Sequence, residues 1–322
     1  MNTCPLFEKC GGCKFDFTAP DYRDKKSALL KNTPLSGAPM WCALGQRRRA
    51  DFSFANGKFG FFAAHSKDIV PITDCPLLSP GLNKILPRIA ALPWIASGSA
   101  LLTECENGID LAVSSAVPYF SPDFAAAVAK TGLIRASWNN RVIFESARPI
   151  VQFDDVAVDY PVGGAFLQPS KESETILRDL VVGSVGLYET DIKCDSRRES
   201  PHQKTADLFC GLGSFTFALK ADGYDIQTDL RTRDLFKKPL NARELAKYDC
   251  VVLDPPRAGC EAQCRELARS AVQRIIYASC NPESFARDMG ILSRGGFNLK
   301  DLTAVDQFVG TTHWELVGVF DR

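Results

Sequence analysis

Residues 275–282 read Ile-Ile-Tyr-Ala-Ser-Cys-Asn-Pro. A short apolar run rich in β-branched residues stops at a small pair, then a thiol, then Asn281-Pro282. That pattern predicts a buried strand delivering Cys280 to a turn at its end. In open α/β sheets, chemistry sits at the carboxyl ends of the strands. A second stretch of the same grammar, residues 248–257, runs Tyr-Asp-Cys-Val-Val-Leu-Asp-Pro-Pro-Arg and delivers Asp254 to a rigid turn. Two such strand ends side by side make a site, and Cys280 is its candidate nucleophile.

Between residues 205 and 219 the chain spells strand, glycine loop and helix, with Asp207, Phe209, Gly211 and Gly213 at the loop. Glycines there let the backbone approach a cofactor, and the helix amino end favours an anionic group. With no third spaced glycine and no Gly-Lys-Ser/Thr, the loop suits S-adenosylmethionine better than NAD or ATP. Further strands are expected over 225–230, up to Asp254, into Cys280, and over 298–305 and 313–320. Helices are expected over 260–272 and over 282–292, the latter started by Asn281 and Pro282. This alternation makes residues 204–322 a doubly wound α/β domain.

The 322 residues imply two or three domains. With 38 basic and 38 acidic residues the chain has no net charge. A nucleic-acid partner would therefore need a local basic face. The start lacks an apolar leader segment, and the longest apolar stretch, 85–102, carries Arg88, two prolines and Gly98. A cytoplasmic protein without a membrane span is expected. Twelve cysteines in such a protein argue against a disulfide framework. Cys4, Cys10 and Cys13 follow a C-x5-C-x2-C spacing around Gly11-Gly12, and Cys75-Pro76-Leu77 echoes Cys4-Pro5-Leu6. Four thiolates fit zinc or a [4Fe–4S] cluster; a close triplet with one distant ligand favours the cluster. Cys42, Cys105, Cys250 and Cys264 have no partner pattern and are expected in the core.

Residues 41–150 read mostly as strands, with hairpins signalled at Asn56-Gly57 and Asn139-Asn140. Arg47, Arg48 and Arg49 are expected to form a basic RNA-binding face. Phe52, Phe54, Phe59, Phe61 and Phe62 are read as core before being read as base-stacking platforms. A helix is expected from Ser170 to about Leu180, and residues 187–203 as an exposed charged loop.

These motifs in order are Cys4/Cys10/Cys13/Cys75, Phe166-x-Gln168, the loop from Asp207 to Gly213, Asp254-Pro-Pro-Arg-Ala-Gly259, residues 279–282, and His313-x-Glu315. Over nearly its whole length the chain thereby resembles the RNA (uracil-5-)methyltransferase family. It looks like the iron–sulfur type without an N-terminal TRAM domain, similar to 23S rRNA uridine-C5 methyltransferases. The resemblance implies an α/β protein with a class I Rossmann-like methyltransferase domain. It implies a Cys-rich [4Fe–4S] segment over 1–38, an antiparallel β-rich RNA-binding domain over 39–165, and the methyltransferase domain over 166–322. The implied methyl donor is S-adenosylmethionine. The implied partner is RNA, rRNA before tRNA, with no membrane and no protein partner. Cys280 would add to uracil C6 and Glu315 would remove the C5 proton, with His313 positioning the Glu315 loop. Gln168, Phe209, Gly211, Asp234 and Asp254 would contact the cofactor. Cys280 would need to be partly thiolate at neutral pH, helped by the helix after Pro282. The alternatives are tRNA uridine methylation and a catalytically weak RNA-binding or iron–sulfur protein on the same scaffold.

Three departures from the family pattern stand out. Only residues 220–224 separate the glycine-loop helix from the next expected strand, about 20 residues short of a full strand-helix unit. The acidic ribose contact at the end of that missing strand would fall to Asp225 or Asp229. The link over 187–203 is long, and Val309 replaces a proline, which is expected to loosen the Glu315 loop.

Overall fold

The computed structural model describes residues 4–191, 204–226 and 230–322. In chain order come α1 (Tyr22–Ser27), β1 (Met40–Trp41), β2 (Arg49–Ala55), β3 (Lys58–Phe62), β4 (Ile69–Pro71) and α2 (Pro80–Ala90). There follow β5 (Gly98–Cys105), β6 (Gly108–Ser115), α3 (Pro122–Val128), β7 (Arg135–Trp138), β8 (Arg141–Glu145), β9 (Ile150–Phe153) and β10 (Val156–Asp159). Then come α4 (Lys171–Asp191), β11 (Thr205–Leu208), α5 (Ser214–Leu219), β12 (Asp222–Tyr224), α6 (Ala242–Leu245) and β13 (Cys250–Leu253). The last elements are α7 (Glu261–Ala268), β14 (Arg274–Ser279), α8 (Pro282–Arg294), β15 (Asn298–Asp306) and β16 (Glu315–Asp321).

The chain divides into two compact units. The first takes the chain up to Lys31, Ala43–Glu172 and Phe308–Thr312; the second takes Asn32–Cys42, Ser173–Gln307 and His313–Arg322.

In the first unit a seven-stranded sheet runs β4-β3-β2-β5-β6-β7-β8, beside a β9–β10 hairpin. Asn56-Gly57 and Asn139-Asn140 close their hairpins with positive φ at both residues, as type I′ turns require. The sheet is not wholly antiparallel, as the hairpin signals predicted: β6 and β7 pair in parallel. The α3 crossover between them supplies the reversal that a parallel pair needs. The apolar stretch 85–102 divides between α2 and β5. Ser79 caps α2, accepting the Leu82 N–H at 3.2 Å, and Pro80 opens it. Leu82, Ile85, Leu86 and Ile89 recur on one helical face and are buried. Trp94 centres the core, its ring 4.5 Å from Phe54, 5.2 Å from Phe59 and 5.1 Å from Phe124. Phe52, Phe54 and Phe59 are buried there, so they serve packing, at about 1.5–3 kcal/mol per buried side chain, and offer no stacking platform.

The segment Phe308–Thr312 is strapped into the Cys-rich part of this unit. The Gly310 carbonyl accepts from the Lys14 and Phe15 N–H groups at 2.7 and 2.9 Å. The Gly310 N–H donates to the Tyr22 hydroxyl at 3.0 Å, and the buried Lys26 ammonium donates to the Phe308 carbonyl at 2.9 Å. Val309 is buried in this strap. The hydrogen bonds of the segment are made by Val309's neighbours, Phe308 and Gly310.

In the second unit a seven-stranded sheet runs β1-β15-β16-β14-β13-β11-β12. β11, β12, β13 and β14 are parallel, and β16 is antiparallel to β14 and β15. β13 and β14 are buried at every residue, which is why they read as unbroken apolar runs. On α4, Leu177, Val181 and Val185 share a face packed against Val252, Ile276, Val305 and Val317. That face carries the helix past Leu180 to Asp191, into the stretch expected to be loop; residues 192–203 lie outside the described residues. Of the strand expected over 225–230, residues 227–229 lie outside the described residues; β12 precedes it and ends at Tyr224. Lys220, at φ 51°, ends α5 in the left-handed region and drops the chain directly onto the sheet edge. In the doubly wound order two strands flank the first strand on that side; among the described residues β12 alone does so here. β1, two residues long, left no sequence signal. No helix among the described residues is long and apolar enough to cross a membrane.

Gly310 has φ 78°, and a Cβ there would stand 3.1 Å from the Cys13 sulfur. Gly310→Ala should cost roughly 1–3 kcal/mol, lowering the thermal midpoint by roughly 2–10 °C. An unchanged melting curve would contradict the strap.

Candidate active site

Strand register assembles the site. Leu208 pairs with Leu253, and Leu253 with Tyr277. Ser279 pairs with Leu316. Phe209, Asp254 and Cys280 therefore each stand one residue beyond a strand's carboxyl end, on one edge of one sheet. Glu315 opens β16 across from the residue that follows Ser279.

The loop after Asp254 is clamped in place. Asn281 Nδ2 donates to the Arg257 carbonyl at 2.9 Å, and its Oδ1 caps α8 by accepting the Glu283 N–H at 3.1 Å. Arg287 Nη2 donates to the Ala258 carbonyl at 2.9 Å. Gly259 has φ 71°, and a Cβ there would lie 2.5 Å from Asp288 Oδ2; no other residue fits. Arg257 Nη2 lies 2.7 Å from His313 Nε2, so His313 meets the Asp254 loop.

The electrostatics are those of crowded acids in a buried place. Burial, then Glu315 and Asp254, push the Cys280 thiol up to about 11, against the pull of Arg257. Burial and these acids work against the partial thiolate expected from the helix start. Burial, then Asp254, raises Glu315 well above the carboxylate range, although Gln307 Nε2 donates to its Oε2 at 2.6 Å. Asp254 is raised to about 7 by burial, Asp207 and Asp225. Asp207 is also raised to about 7, by burial first, while the Thr216 hydroxyl donates to its Oδ2 at 2.6 Å. Asp207 Oδ1 is buried with no hydrogen-bond partner.

The cofactor candidates are placed as follows. Gly211 and Gly213 take φ 54° and 102°, and a Cβ on Gly213 would strike the Phe217 ring at 2.6 Å. The Phe209 ring centroid is 5.3 Å from that of Phe236. Asp234 accepts the Phe236 and Lys237 N–H groups at 3.1 and 3.2 Å, bonds that hold its carboxyl low; it turns into its own loop. Asp225, which the sequence could not place, follows β12 and accepts the Gly211 N–H at 3.2 Å. Asp229 lies outside the described residues. Gln168 belongs to the first unit, buried, its carbonyl accepting from Arg48 Nε at 3.1 Å; the other four candidates belong to the second. Asp207, Asp225 and Asp254 beside an open glycine backbone fit a cationic sulfonium nucleoside such as S-adenosylmethionine. Sequence reasoning also missed Gln307, which carries no motif, and Asp207's unpartnered oxygen.

Of the arginine run, Arg48 is buried while Arg47 and Arg49 are partly exposed. Arg48 is buried at 4% exposure and held by the Gln168 carbonyl, so it is withdrawn as an RNA contact. Arg47 lines the cavity that also holds Cys4, Cys10, Cys13 and Cys75. Arg49 lies over the Phe166 ring at 5.7 Å. The four thiols do come together: burial and then Cys75, Cys10 and Cys4 push Cys13 up to about 12, Arg47 opposing. The Gly12 N–H points at the Cys10 sulfur at 3.4 Å, as the paired glycines implied.

A doubly wound sheet with a glycine loop, clustered carboxylates and a thiol at its carboxyl edge defines a class I nucleoside-cofactor methyltransferase. The family described as tRNA (uracil-5-)-methyltransferase matches residues 225–322. An RNA methyltransferase of Agrobacterium fabrum, itself uncharacterised, is 33% identical over 97% of this chain and 82% of its own. The 23S rRNA (uracil(1939)-C(5))-methyltransferase RlmD of Shewanella halifaxensis is 26% identical over 99% of this chain and 81% of its own. The solved Pyrococcus abyssi tRNA (uracil-54, C5)-methyltransferase, in complex with S-adenosyl-L-homocysteine, shares the fold. Its TM-score is 0.71 at 19% identity, over 99% of this chain and 87% of that one. The chain belongs to the family of these RNA methyltransferases.

Asp207 and Asp254 keep protons that the unfolded chain releases near pH 4. Between about pH 4 and 7 the unfolded state thus binds fewer protons, and these groups lower stability as pH rises. Melts of the cofactor-free protein should show Asp207→Asn reducing that fall relative to wild type; an equal slope in both would contradict the shift.

Proposed function

We propose that this chain methylates C5 of a uridine in RNA, 23S rRNA first, through a covalent Cys280–uracil adduct. The observation that supports this most is the register that brings Asp254, Cys280 and Glu315 to one sheet edge. S-adenosylmethionine, when bound, supplies an electrophilic methyl group. Phe209, Gly211, Asp225 and Asp254 would hold it, with Gln168 and Asp234 as the further candidates. Uracil C5 is too weak a nucleophile unaided. Cys280 Sγ adds to C6, which makes C5 enolate-like and able to take the methyl group. Glu315 then removes the C5 proton, and Cys280 leaves as the double bond re-forms. Burial and Asp254 favour the protonated form of Glu315, so it would first release that proton to solvent and then take the C5 proton as the carboxylate. Cys280 must lose its proton first, and a cation seated among Asp207, Asp225 and Asp254 lowers the field that keeps it protonated. His313, joined to Arg257, steadies the approach to Glu315. The target base would be flipped from its stack to reach a thiol at the strand end.

In this reading residues 39–165 carry RNA contacts, residues 166–322 the methyl transfer, and residues 1–38 with Cys75 a structural [4Fe–4S] cluster. Among the described residues, the one trio of Cys, His, Asp or Glu ligand atoms all within 4.8 Å of one another is elsewhere in the chain. Tetrahedral zinc would hold sulfurs about 3.8 Å apart, so the wider N-terminal set favours a cluster. Anaerobically purified protein should be brown, with about four irons per chain; a colourless protein with one zinc at these four thiols would refute the cluster.

Methyl transfer from labelled S-adenosylmethionine tests the activity. Cys280→Ser should abolish it. Glu315→Gln should slow it by about 10²–10⁴-fold while a protein–RNA adduct accumulates. Transfer to tRNA alone would move the substrate assignment, and cofactor binding without any transfer would favour the weak RNA-binding reading. Retained activity in Cys280→Ser would sink the mechanism.

A further inference from the structure

We propose that Cys260, Cys264 and Asp288 form a closed site for one thiophilic divalent cation, Zn²⁺ by its chemistry. Neither cysteine belongs to the N-terminal set, and the methyl-transfer mechanism uses neither. Cys260 is the residue before α7 and Cys264 lies one turn on, so both sulfurs face the same side. The sulfurs are 3.6 Å apart, and the ligand atoms of Cys260, Cys264 and Asp288 all lie within 4.8 Å of one another. Zinc with bonds of about 2.3 Å separates two tetrahedral sulfurs by about 3.8 Å, so it enters with little movement of the helices. Two thiolates with one carboxylate select zinc over magnesium or calcium.

The surroundings complete the site. Tyr277, on β14, donates from its hydroxyl to Asp288 Oδ2 at 2.7 Å and lies 3.6 Å from the Cys260 sulfur. It orients the carboxylate. Cys260 is 2% exposed, and Cys264 and Asp288 are fully buried, as in closed structural sites. Charge also balances. Two thiolates, one carboxylate and Zn²⁺ sum to one negative charge, and the Arg287 guanidinium lies 2.8 Å from Asp288 Oδ1. Buried charge needs such pairing. A disulfide is the poorer reading: it requires about 2.05 Å between sulfurs and an oxidant able to reach two buried thiols. Binding expels the two thiol protons.

The site also has a consequence. The Cys260 N–H donates to Asp288 Oδ2 at 2.8 Å, directly after Gly259, so the cation would pin the base of the Asp254 loop to α8. It is a structural site, independent of the methyl-transfer reading.

Full-length protein loaded with ZnSO₄ and desalted should be assayed for zinc by mass spectrometry in two pairs. Cys264→Ala should lose one zinc per chain relative to wild type. The same loss should appear in a Cys4→Ala background, where the N-terminal set is already broken. A second measurement uses the wild-type chain alone, by pulsed alkylation in moderate denaturant. Zinc should protect the peptides containing Cys260 and Cys264 from labelling. Equal zinc content with and without Cys264, or equal labelling of these peptides with and without zinc, overturns the proposal.

Discussion

Acids and a thiol share one buried sheet edge, and their mutual repulsion governs this protein. Desolvation comes first in displacing Asp207, Asp254, Cys280 and Glu315 upward; Asp207 and Asp225 add to it at Asp254, Glu315 and Asp254 at Cys280, Asp254 at Glu315, and Asp225 at Asp207. None of them could be so placed by a surface loop. The placement requires strands buried on both faces, and β13 and β14 are such strands. It also requires a fixed register, since a one-residue slip would turn each side chain to the opposite face. The apolar packing of α4 against the sheet is what keeps the dielectric low enough for the repulsion to matter.

Rest and reaction then call for different protonation states. At rest a protonated thiol and protonated carboxyls minimise the cost of burial. For reaction the thiol must be ionised and Glu315 must accept a proton. The difference between these states is charge, and in the proposed mechanism a cation held near the carboxylates would supply it. Arg257 acts in the same direction on Cys280, from a loop held by Asn281 and Arg287. The crowding is therefore a latent site for positive charge as well as a source of instability.

Much of this was legible in the sequence where a local rule had no competitor. The runs into Asp254 and Cys280 could only be buried strands, and the Asn-Gly and Asn-Asn pairs could only be tight hairpins. Cys4, Cys10 and Cys13 stood out by spacing and Cys75 by its Cys-Pro-Leu echo, and the four line one cavity. Features set by distant partners were not legible. Arg48 looked like surface in an arginine run, yet the Gln168 carbonyl draws it inside. β1 is a strand only because β15 offers it an edge. Asp225 has no motif and takes its position from the left-handed Lys220 that sends β12 to the sheet edge. Cys264 read as plain core because Asp288 and Tyr277, which pack beside it, lie 24 and 13 residues further on. The helix start beside Cys280 is visible in sequence; the burial that opposes its ionisation is not.

The central claim is that Cys280 forms a bond to the pyrimidine ring while Glu315 waits for the C5 proton. RNA carrying 5-fluorouridine at the target separates these steps, because fluorine cannot leave as a proton. With S-adenosylmethionine present, the wild-type protein should form a stable adduct, with its mass increased by the RNA and the modified peptide containing Cys280. Cys280→Ser should form none. Wild-type protein that binds the cofactor and this RNA yet forms no adduct would contradict the account.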